Sequence, residues 1–229
     1  MSFNPDDLTT WPCFTPLIIA HDVGRSRDRS TAVIGGNCPF VPRLLGIAEL
    51  EELPPGLYGS PRASALAVVD RRYNSNALFV ADLSNDATYA EVLRETFGPQ
   101  VIGLHISSHG DGMNFERRPV GAGAMLVYTI GRTHLLELFH SELLADQVRM
   151  VNDPMSRRAY EQLMNLETEM RDTGVIYKCL PGQHDDLGIS CAMLAWAAAH
   201  PHLNEWIRPM LATRRPLWQP QKFSWGAFT

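Results

Sequence analysis

The sequence predicts one mixed α/β domain, a central β-sheet with helices packed on its faces. Three observations lead there. Two short apolar runs, residues 17–22 and 77–82, each end in a carboxylate and lie near turn residues, as buried strands do. Strand-like and helix-like segments interleave along the chain instead of separating into blocks. A long apolar helical pattern then begins near His184.

Taken in order, residues 1–15 form an irregular lead-in carrying Pro5 and Pro12. The run 17–22 is the first strand, and 23–30 is a polar, arginine-rich turn. Residues 31–35 return as a second strand and 44–50 make a third, so short connections predict an antiparallel meander. Ser60-Pro61 is a good helix start, a hydroxyl N-cap followed by proline at the first helical position. Ala63, Leu66, Ala67, Asp70 and Tyr73 follow at helical spacing. The stretch 66–69 would also suit a strand, and the cap decides for helix. The fourth strand is 77–82. Tyr89, Leu93 and Phe97 lie one turn apart on a helix that Gly98-Pro99 ends.

A strand over 100–106 leads into a loop over 107–123 rich in Gly, Ser and charge, then into a hairpin strand over 124–130. Leu135, Leu136, Phe139 and Leu143 mark another helix. Pro154 opens the next, with Ala159, Leu163, Leu166 and Met170 as its core-facing stripe. A short strand covers 174–179, and the last helix buries Leu187, Cys191, Leu194 and Ala198. Beyond Pro201 the chain is rich in proline and tryptophan. The expected division is a lead-in over 1–15, the α/β domain over 16–200 and an extension over 201–229.

Composition narrows the functional classes. Hydrophobic residues make up 45% and charged residues 20% of 229 positions, a globular balance that argues against disorder. No apolar run reaches the roughly 20 residues that span a bilayer, and residues 14–20 lack the basic flank of a signal peptide. A cytoplasmic protein is expected. Cys13, Cys38, Cys179 and Cys191 contain no C-x-x-C pair and are expected to be reduced. The net charge of −5 counts mildly against a protein that coats nucleic acid permanently, and does not exclude an enzyme that touches it briefly and gathers carboxylates around metals.

Position singles out three acidic sites. Asp22 ends the first strand, Asp82 ends the fourth, and Asp185 with Asp186 begins the last helix. Each alone has a structural explanation: Asp185 is a good N-cap, and Asp22 can simply start a turn. If the first and fourth strands are neighbours, however, their carboxylates share one edge of the sheet and a nearby helix start adds a third. Such a cluster repels itself unless cations neutralise it. Oxygen-only ligands favour Mg²⁺ or Mn²⁺, and two such ions can drive phosphodiester hydrolysis. Arg25, Arg27 and Arg29, close by in sequence, could then steer a phosphate backbone.

The segments IIAHDVGRSRDRSTAVIGG, ALFVADLSNDATYAEVL and GQHDDLGISCAMLAWA resemble the nuclease domain of the large terminase subunit of tailed bacteriophages. The likeness runs in order from about residue 15 to 200. Its most specific part is His184-Asp185-Asp186 followed by an alanine-rich helix; the first segment adds Asp22, Gly24 and Asp28. The resemblance implies an RNase H-like fold and endonuclease activity on double-stranded DNA during head packaging, through a two-metal mechanism. It also implies Asp22, Asp82 and Asp185 as metal ligands, with Asp186 as an additional or substitute ligand. A separate packaging ATPase, the small terminase subunit or the portal are the implied protein partners, in the cytoplasm of a bacterial host. Two departures stand out. There is no G-x-x-x-x-G-K-[ST] phosphate loop, so the chain is not expected to act as an ATP-driven motor by itself. Ser190 occupies a place where relatives often carry another acid.

Rival readings are a non-catalytic packaging subunit that keeps the fold, and a RuvC-like junction resolvase. His105 and His109 lack the acidic or cysteine partners of a zinc site. The run 107–111 lacks the G-x-S-x-G of a hydrolase elbow. His184 is expected at the surface or in a capping role.

Overall fold

The structure, a computed structural model, describes residues 3–24, 29–73, 77–107, 113–120, 123–171, 174–179, 184–200 and 203. The meander expected at the start is present. Leu17–Asp22 (β1), Thr31–Asn37 (β2) and Leu45–Glu52 (β3) pair antiparallel, with Asp22 opposite Thr31. Gly59–Arg72 (α1) leads to Leu78–Asp82 (β4), and Tyr89–Phe97 (α2) to Val101–Ser107 (β5). Met113–Val120 (β6) and Gly123–Gly131 (β7) form a hairpin, followed by Arg132–Leu144 (α3). Val148–Met150 (β8), Pro154–Met164 (α4), Glu167–Arg171 (β9), Gly174–Lys178 (β10) and Asp186–Ala199 (α5) complete the order.

Eight strands make one mixed sheet in the order β6-β7-β5-β4-β1-β2-β3-β8, while β9 and β10 pair separately. β1, β4, β5 and β7 run parallel to their neighbours in that series. Side chains alternate across a strand. Ile18, Ala20, Leu78 and Val80 therefore enter one core, with α3, α4 and α5. Ile19, Phe79 and Ala81 enter the other, with α1 and α2. The lead-in packs too: Trp11 and Phe14 cluster with Cys38 and Leu44. Gly46 makes the floor for it, since a Cβ there would lie 2.7 Å from carbons of Leu8, Trp11 and Phe14.

Local expectations fail at identifiable points. Ser60 does not cap α1: the N-cap is Tyr58, no side chain bonds there, and Pro61 sits inside the first turn. Residues 113–120, expected in a loop, form an edge strand because β7 offers them a ladder. The stripe from Ala159 to Met170 is not one helix. α4 stops at Met164, and residues 167–171 pair with β10, leaving Met170 78% exposed. α5 has no solvent face to speak of. Leu187 through Ala198 are all buried, beneath β1 and β2 and beside α3 and α4, so its apolar character runs right round the helix.

Candidate active site

Asp22 and Asp82 close two adjacent parallel strands. The β1–β4 register pairs Ile18 with Leu78 and His21 with Ala81, so the next step along each strand sets Asp22 beside Asp82. Neighbouring strands lie about 4.8 Å apart. Both residues share the parity of Ala20 and Val80, and so point to the α5 side of the sheet. The chain leaves β1 toward β2 on one side and leaves β4 toward β5 on the other. The ends of β1 and β4 therefore flank a topological switch point, the position at which ligands bind in open α/β sheets.

Both carboxylates are buried, Asp22 at 9% and Asp82 at 5% exposure. Oδ1 of Asp82 accepts from the Ser84 amide at 2.9 Å and from the Ser84 hydroxyl, whose oxygen in turn accepts from the Ile106 amide at 2.7 Å. Burial pushes the Asp82 carboxyl above its usual range, against the opposing pull of the Ser84 bonds and of His105. Ser84 thus fixes the side chain without neutralising it.

The first turn of α5 is tied to the same place through Thr31, the cross-strand partner of Asp22. Thr31 Oγ1 lies 2.6 Å from Ser190 Oγ and donates to the Asp186 carbonyl at 3.2 Å. Asp186 is the first helical residue and Asp185 the N-cap position. The Asp185 side chain makes no capping bond; it pairs instead with Arg132, which also donates to the Tyr177 carbonyl at 3.3 Å. Ser190 is wholly buried. Where relatives were expected to carry an acid, this chain has a hydroxyl that locks helix to sheet.

The structure thus brings Asp22 and Asp82 together, draws the Asp186 backbone to Thr31 beside them, and turns the Asp185 carboxylate toward Arg132. Among the described residues no group of three or more His, Cys, Asp or Glu side chains is arranged to hold a metal ion. Arg25, Arg27 and Asp28 lie outside the described residues, as does His109. Arg29 is exposed and directed to Glu52 at 2.7 Å. His184 is exposed, just ahead of α5. Sequence reasoning missed Ser84, Thr31, Ser190 and Arg132 as supports. Only Ser84, two residues past a strand-ending Asp, carried any local signal, that of an Asx-type turn.

The mixed sheet with helices on both faces is an RNase H-like α/β fold. More particularly, the chain has the fold of phage terminase nuclease domains. It is similar to the large terminase nuclease of thermophilic phage G20c with bound magnesium, at 20% identity and a TM-score of 0.55 over 78% of this chain and 79% of that one. The same nuclease with bound cobalt matches at 20% identity and 0.54, over the same shares. The large terminase nuclease domain of Thermus phage P74-26 matches at 18% and 0.54, over 81% of this chain and 80% of that one. No protein-family model matches the sequence, and no curated protein does. No helix among the described residues is long and apolar enough to cross a membrane.

Proposed function

We propose that this chain is a metal-dependent endonuclease that hydrolyses phosphodiester bonds of double-stranded DNA during phage DNA packaging, in the cytoplasm of a bacterial host. One observation carries the reading: two buried carboxylates, Asp22 and Asp82, end neighbouring parallel strands on the same face at a switch point. Paired buried carboxylates are costly unless a cation offsets them. The donor set is oxygen alone and fits Mg²⁺ or Mn²⁺. The magnesium- and cobalt-bound terminase nucleases of the same fold support that choice.

In this reading Asp22 and Asp82 hold the metal, with Asp185 and Asp186 contributing from the start of α5. Two such ions, held there, would supply positive charge for activating water and for the leaving oxygen of the phosphodiester. Ser84 keeps the Asp82 carboxylate in one rotamer, and Thr31 with Ser190 keeps α5 in register with β1. Arg132 pairs with Asp185, so Asp185 would have to release that partner to help hold a metal. Arg25, Arg27 and Arg29 are proposed to meet the DNA backbone, Arg29 by giving up Glu52. A separate packaging ATPase, the small terminase subunit and the portal are the proposed protein partners.

The Arg132–Asp185 pair favours one second reading, a packaging subunit that keeps the fold without cutting. A plasmid-nicking assay separates the two. The parent is expected to cut with Mg²⁺ or Mn²⁺ and not in EDTA, and Asp22→Ala and Asp82→Ala are expected not to cut. Cutting that survives both substitutions would remove the proposed site, and a parent inert with every divalent ion would favour the second reading.

A further inference from the structure

Behind the carboxylate-bearing strand ends, on the α1 and α2 side, lies a cavity of about 330 Å³ lined by Val23, Gly24, Tyr58, Arg62, Ser84 and Asn85, with Asp86 at its wall. Arg62 is only 2% exposed. Its Nε donates to the Leu57 carbonyl at 3.0 Å, and its Nη2 reaches the Gly24 carbonyl at a long 3.4 Å. Its Nη1 is buried without a hydrogen-bond partner. Tyr58 and Tyr89 flank the guanidinium, with ring centres 5.6 and 5.1 Å away. The Tyr89 hydroxyl is a second buried polar group lacking a partner.

A guanidinium cannot shed its proton, and burying it without an ion partner is unfavourable. Arg62 forms no ion pair among the described residues; Asp86, the nearest acid of the cavity wall, spends Oδ1 on Thr88 and the Tyr89 amide. α1 starts at the same wall, at Tyr58, with no side chain capping its first turn. A buried fork with a free arm beside an uncapped helix start is built for an anion.

We propose that this cavity is a phosphate-binding subsite, in which Arg62 takes a phosphate of the nucleic-acid backbone next to the one lying over Asp22 and Asp82. The open side of the cavity lies beside Tyr58, which is 49% exposed. That the phosphate belongs to DNA rests on the nuclease reading; that the cavity binds phosphate does not.

The test has two arms. First, the full chain in EDTA is titrated with inorganic phosphate at matched ionic strength, reading the melting temperature and the Arg62 Nε–H resonance. The parent is expected to show a saturable shift in both, retained by Asp82→Asn. Arg62→Gln is expected to lose it. Arg62→Lys, which keeps the charge and serves if the glutamine variant does not fold, is expected to weaken it at least tenfold. A parent indifferent to phosphate, with a buried water completing Arg62 and Tyr89, would overturn the inference.

Secondly, duplex binding is measured against salt without a divalent ion. Arg62→Gln is expected to lower the slope of log K against log salt by about 0.9, the worth of one phosphate, and exposed Arg43→Gln to leave it unchanged. An unaltered slope for Arg62→Gln, with cutting still dependent on Asp82, would overturn the inference and spare the nuclease reading. A phosphate shift that needs Arg62 in a chain that neither binds nor cuts duplex would do the reverse.

Discussion

His21 makes one acid-sensitive contribution to the stability of this protein. The ring is fully buried one residue before Asp22, packed edge-on against Tyr89, with Nδ1 2.8 Å from the Thr31 carbonyl. A carbonyl only accepts, so Nδ1 carries the proton, and Nε2 faces the interior with no partner. Burial is the main cause that pushes the imidazole down from 6.5 to about 4; the Thr31 bond opposes it and the Arg62 charge adds to it. The unfolded chain therefore takes up a proton below pH 6.5 that the folded chain refuses until about pH 4. The contribution of His21 to stability is full above 6.5 and drains away as the pH falls through that window. The span of 6.5 to about 4 corresponds to about 3 kcal/mol. For a protein of this size that is roughly 6–12 °C in Tm. The assay is thermal unfolding in EDTA at pH 7 and pH 4.5, for the parent and for His21→Gln, with the His21 ring followed by NMR. The gap between parent and variant should close substantially at the lower pH. A His21 resonance titrating near 6.5 in the folded protein would refute the reasoning.

Asp82 has the opposite sign: its raised pKa means that stability is lost as pH rises above the ordinary carboxylate range. In EDTA at pH 7, Asp82→Asn, which keeps an acceptor for Ser84, should melt higher than the parent. Mn²⁺ should raise the parent's Tm and not the variant's, and nicking should disappear; a variant that melts lower at pH 7 would contradict this. Ser190→Ala removes the bond to Thr31 and should cost about 1 kcal/mol, seen as a lower midpoint in urea. Gly46→Ala should undock the lead-in at about 1–3 kcal/mol, exposing the Trp11 segment to hydrogen exchange. Cys191, whose thiol burial pushes up, should resist alkylation at pH 8 in the folded chain, while partly exposed Cys13 reacts; mass spectrometry distinguishes them.

The architecture and the candidate site support each other through one structural fact. α5 is apolar on every side because it is enclosed by the sheet, α3 and α4, and its polar first turn is therefore the part left to meet the strand ends. Thr31 and Ser190 set that turn beside Asp22, while Arg132 competes for Asp185.

Periodicity and terminal residues alone determined much of this protein. The apolar runs ending in Asp22 and Asp82, the turn-separated meander and the late alanine-rich helix were all readable, because each depends on local alternation, caps and breakers. Three things needed the tertiary structure. Residues 113–120 and 167–171 became strands only because partners offered backbone hydrogen bonds, which no local pattern encodes. The neighbour relation between β1 and β4, and so the meeting of Asp22 with Asp82, is a matter of strand order between segments sixty residues apart. The choice of Asp185 for Arg132 and of Ser190 for Thr31 pairs side chains that are far apart in the chain. Local sequence sets what each segment can be; long-range pairing, which is paid for in chain entropy, decides which chemistry the segments share.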